Sequence, residues 1–128
     1  MANPANLTIN ELAANSAINQ PTAQAIDTNG TINCAAKSLT DRLIIEVINT
    51  DDAALTVTLK AGTGVQAHQS RDLAVSLAAT GTATDKRIIG PFESSRFSKA
   101  DGSFDVQFTA ATGAPACSVR VYRLPTQV

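Results

Sequence analysis

The chain has 128 residues, enough for one domain with its own core; 44% are hydrophobic, but only 4% are aromatic and none is tryptophan. Small side chains bury little area each, so such a fold rests on many modest contacts or on a partner. Ten basic against eleven acidic residues, a net charge of −1 and no run of Lys or Arg argue against a surface built for nucleic acid.

The N-terminus, "MANPANLTINELAANSAINQP", has neither the basic start nor the apolar block of a signal peptide. No stretch reaches the roughly 18 continuous apolar residues of a membrane span, so no membrane contact is expected. Thr8 and Glu11 have the S/T-x-x-E spacing of a capping box, which predicts a short helix over residues 9–14 with Ile9 and Leu12 on one face. Pro21 bars its continuation. So short a helix needs something to pack against. Residues 1–21 are therefore read as an N-terminal arm, and residues 22–128 as the folded domain. The arm carries Leu7, Ile9, Leu12 and Ile18 among polar residues. It is expected to be loosely packed in the free protein and to order on docking, with a tail tucked onto its own domain as the alternative.

Next, "AIDTNGTINCA" reads as a hairpin about Asp27–Gly30. "DRLIIEVIN" is a β-branched run, apolar on both parities, as a central strand would be. "LTVTLKAG" alternates, with Leu55, Val57 and Leu59 inward and Thr56, Thr58 and Lys60 outward. These two runs, joined by the turn "NTDDAA", suggest an antiparallel pair. A polar loop over residues 62–72 leads to "LAVSLAA", which places Leu73, Val75 and Leu77 inward. "RIIGPFE" is a strand kept to an edge, or bulged, by Gly90-Pro91. "SRFSK" and "SFDVQFTA" flank "ADGS" as a second hairpin, with Phe104, Val106 and Phe108 on one face. "ACSVRVYRLP" closes the chain, with Cys117, Val119 and Val121 on one side and Ser118, Arg120 and Tyr122 on the other. Seven or eight short strands with almost no helix make an all-β, antiparallel β-sandwich, jelly-roll-like or immunoglobulin-like.

Nothing in this pattern supplies chemistry. The one histidine, His68, sits in a polar loop without an identifiable nucleophile or orienting acid, so no enzyme is expected. Cys34 and Cys117 have no metal-ligand spacing and are read as buried thiols rather than a disulfide. "DTNG" and "NTDD" lack the spacing of a calcium loop and are turns first. The scattered carboxylates present no selected pair for glycoside hydrolysis, and the few aromatics are too sparse for a sugar-binding platform. No cofactor or metal is expected. What remains is a surface for protein contact.

"DRLIIEVINTDDAALTVTLKAG", then "IIGPFESSRFSKADGSFDVQFT" and a closing "VRVYRLP" resemble the small β-sandwich decoration, or cement, proteins of tailed-bacteriophage capsids. The resemblance covers residues 41–125; the first forty residues match only loosely. It implies a virion protein made in the bacterial host cytoplasm that binds the exterior of an assembled shell of HK97-type major capsid protein, often as a homotrimer at three-fold positions. Phe92, Phe97, Phe104 and Phe108 are then candidate core, and Arg96 with Glu93 a local or inter-subunit ion pair. Leu7, Ile9, Glu11, Leu12, Ile18 and Arg96 are the expected partner-binding residues. The alternative is a tail, neck or fibre-associated β-sandwich with sugar binding on its loops.

Overall fold

The computed structural model describes residues 3–35, 42–63, 71–91 and 94–125. They form β1 (Ile9–Glu11), β2 (Gln24–Ile26), β3 (Gly30–Cys34), β4 (Leu43–Asn49), β5 (Leu55–Leu59), β6 (Leu73–Leu77), β7 (Lys86–Ile89), one helical turn α1 (Ser94–Phe97), β8 (Phe104–Ala110) and β9 (Cys117–Arg123). Side-chain alternation builds the strands as read. Along β4, β5 and the first five residues of β8 and β9, every second residue is buried and its neighbours are half-buried.

The chain is all-β and forms two facing sheets. Sheet I runs β1-β9-β4-β7, with β2 also beside β9; sheet II runs β3-β8-β5-β6. All pairings between strands are antiparallel except β1 with β9. From β2 to β9, every connection passes from one sheet to the other except the β5–β6 hairpin. Eight strands wrapped in this order make a jelly roll, which decides between the two sandwich types expected.

The core lies between the sheets. Ile26, Leu43, Ile45, Val47, Val119 and Val121 come from sheet I, and Ile32, Leu55, Val57, Leu59, Phe104 and Phe108 from sheet II. Phe97 closes one end at 2% exposure. Cys34 and Cys117 are free and buried, as read. β4 is central and β7 is an edge, also as read.

Four local expectations give way to tertiary pairing. β4 and β5 do not pair, because β4 lies between β9 and β7 in sheet I while β5 lies between β8 and β6 in sheet II. Their connection crosses the sandwich, and the buried Asn49 side chain holds it by donating to the carbonyls of Ala53 and Ala78, both at 2.9 Å. Nor do β2 and β3 form a hairpin; the turn between them likewise changes sheets. "ADGS" is a turn, closed by Lys99 N–H donating to the Ser103 carbonyl at 2.7 Å, but α1 precedes it instead of a strand.

Residues 9–14 are not helical. Ile9, Asn10 and Glu11 lie parallel to Val121, Tyr122 and Arg123. The open flank of β9 supplies hydrogen bonds that one isolated helical turn cannot match. Thr8 N–H donates to Gln24 Oε1 at 2.8 Å, and Glu11 pairs with Arg123 at 2.7 Å instead of closing a capping box. Just before this, Leu7 N–H donates to the Asn33 carbonyl of β3 at 3.0 Å, and the Leu7 side chain is 4% exposed in the core. The first part of the expected arm thus bridges the edges of both sheets of its own chain.

Candidate interaction surface

The outer face of sheet I is where apolar side chains reach solvent. On β4 the outward residues are Ile44, Glu46 and Ile48, and on β9 they are Tyr122, Arg120 and Ser118, paired across in that order. Ile88 of β7 lies opposite Glu46. Leu12 is brought here by β1, its N–H donating to the Arg123 carbonyl at 2.9 Å. Leu12, Ile44, Glu46, Ile88 and Tyr122 line an open groove of about 240 Å³.

Its charge is cancelled locally. Arg120 Nη1 sits 2.7 Å from Glu46 Oε1, with both side chains largely buried, and Arg120 Nε donates to the Pro21 carbonyl at 2.8 Å. One guanidinium therefore neutralises the only carboxylate in the groove lining and ties the chain entering β2 to the sheet. What is left facing outward is apolar: Ile88 is 70% exposed, the most exposed large hydrophobic among the described residues.

The six residues expected to bind a partner are dispersed. Leu7 is in the core and Ile9 packs against it. Glu11 is exposed and held by Arg123. Leu12 lines the groove, and Ile18 is 46% exposed. Arg96 is a clasp: it lies 4.9 Å over the Phe97 ring and donates to the carbonyls of Arg71 at 3.1 Å and Asp72 at 3.2 Å. Phe92, Glu93 and His68 lie outside the described residues. The sequence reading missed Ile44 and Ile88, whose signal was an apolar residue on the outward parity of a half-buried strand.

Burial pushes the Cys34 and Cys117 thiols up to about 12, which keeps them protonated and unreactive. Among the described residues no group of three His, Cys, Asp or Glu could hold a metal ion. Asp101 is held below the ordinary carboxylate range because its side chain accepts from the Ser103 hydroxyl at 2.6 Å and from the Ser103 N–H at 3.0 Å, an arrangement that closes a turn. Compared with protein-family models, with curated proteins and with solved structures, the chain matches none.

Proposed function

We propose that this chain is a virion structural protein that binds the outer surface of an assembled bacteriophage capsid and stabilises it. The resemblance over residues 41–125 supports the choice of partner. Jelly rolls serve viral capsids, lectins and cupins alike, so the architecture by itself does not select among them. The observation that carries the reading is the apolar groove on the outer face of sheet I. The solvent face of an antiparallel sheet is ordinarily polar, and an apolar patch rimmed by polar residues marks a contact surface, for a protein, a membrane or a ligand.

The mechanism is mass action. A protein that binds the assembled lattice and not its free subunits stabilises the lattice by about 2.7 kcal/mol per site at a concentration one hundred times Kd. A homotrimer at a three-fold position would multiply that effect by joining neighbouring capsid subunits. The test is to mix the purified protein with expanded, undecorated capsids of HK97-type subunits and sediment them. Co-sedimentation that saturates near the copy number of the capsid protein supports the reading. Protein left in the supernatant at micromolar concentration ends it, and a few copies per virion would assign the chain to a tail or neck.

A further inference from the structure

The backbone of β7 carries a second, more specific message. Asn49 N–H donates to the Asp85 carbonyl at 2.8 Å, one step beyond the Ile48–Lys86 pair at the end of the β4–β7 ladder. Bonded and non-bonded pairs alternate along an antiparallel ladder. The bonded pairs are therefore Asn49–Asp85, Val47–Arg87 and Ile45–Ile89. Lys86 and Ile88 turn their N–H and C=O groups away from β4, and no described strand lies on that side. The neighbouring edge of sheet II is guarded, since Arg87 Nη1 donates to the Ser76 carbonyl of β6 at 3.1 Å.

We propose that the free edge of β7 and the adjoining groove dock an extended segment of a partner protein. An apolar side chain opposite Ile88 would pack on its outer flank and continue the apolar wall of the groove, and a carboxylate would sit opposite Lys86. Lys86 and Ile88 share the outer face and are both exposed. Period-two recognition follows: main-chain hydrogen bonds supply affinity, and alternate side chains supply specificity. The cation at Lys86 selects an acid as its cross-strand neighbour. Glu46 does not repel that acid, because Arg120 already neutralises it.

A second copy of this chain fits the edge less well. Antiparallel self-pairing centred on Arg87 sets two guanidiniums directly opposite each other. Centred on Ile88, it puts Lys86 against Gly90, beyond the last residue of β7, and offers that cation no acid. The proposal does not depend on the capsid reading and is tested without capsids. The probe is a capped, fluorescein-labelled, threonine-rich peptide carrying leucine and aspartate two positions apart, titrated with the full chain and read by anisotropy. Saturable binding is expected, weakened about fivefold when lysine replaces aspartate. N-methylation of the peptide edge facing β7 should abolish it. Lys86→Glu should reverse the preference between the two peptides. Ile88→Glu should remove binding while leaving the thermal midpoint unchanged. The proposal is overturned by an absence of binding up to about 1 mM, by equal binding of the N-methylated peptide, or by a preference that Lys86→Glu leaves intact. Sedimentation that shows a dimer dissolved by Ile88→Glu would overturn it too, and would give the edge to a second copy.

Discussion

Asn49 is fully buried, yet its side chain has no unmet need. Its amide donates to two carbonyls from different connections, and its Oδ1 accepts the Asp51 N–H at 3.1 Å. Leucine in its place keeps most of the volume but leaves three backbone groups without partners. Asn49→Leu should cost about 2–4 kcal/mol, read as a lower urea midpoint. The two thiols have the opposite character, buried for their apolarity alone. Their ordinary value of 9.0 applies to the unfolded chain, against about 12 in the fold. Below about pH 9 both states keep the proton, and the burial contributes in full. As pH rises from there towards 12, the unfolded chain loses protons that the folded chain retains, so stability falls. A thiol reagent at about pH 8 should label neither cysteine until urea unfolds the protein. The urea midpoint should decline above about pH 9, and less so in a Cys34→Ala, Cys117→Ala double variant.

Among the elements, α1 and the chain leaving β5 approach closely backbone to backbone. Gly62 N–H donates to the Arg96 carbonyl at 2.8 Å, and a methyl group on Gly62 would fall 2.6 Å from the Ser98 carbonyl carbon. Backbone on both sides leaves nothing flexible to move aside. Gly62→Ala should therefore cost about 3 kcal/mol, seen as a fall in Tm. The sequence makes individual strands legible here because alternation is a local property: Leu55, Val57 and Leu59 declare an inward face wherever β5 lies. It does not declare the partner. β4 and β5 have equally good inward faces, and only the long-range ladders put one in each sheet. β1 was illegible for a stronger reason. Thr8 and Glu11 write a helix start in local code, whereas the strand depends on β9, more than one hundred residues away. The groove was half legible: Leu12 stood out, but its meeting with Ile44 and Ile88 follows from register across three strands.

At the scale of the molecule, the two flanks of the sandwich differ. On one, residues 6–11 run from β3 to β9 and close the seam with Leu7 beneath them. On the other, β6 and β7 face solvent, with Arg87 reaching across. The closed flank predicts that the N-terminal segment contributes to folding before it contributes to any partner. Leu7→Ala should cost about 2–4 kcal/mol in urea unfolding of the isolated protein. A change below about 0.5 kcal/mol would return the segment to the status of a detachable arm.

The position of β9 also sets a clock. It is the last of the described strands, and β1, β2 and β4 all pair with it. A growing polypeptide can form the β5–β6 hairpin early, but sheet I has no centre until residues 117–123 have left the ribosome. Until then β4 lacks its neighbour on one side, and β1 and β2 have no strand to join. Non-local β pairing of this kind is slow, on the order of milliseconds to seconds. Residues 9–11 must therefore wait for residues 117–123, and the nascent chain stays exposed to chaperones and to its neighbours in that interval.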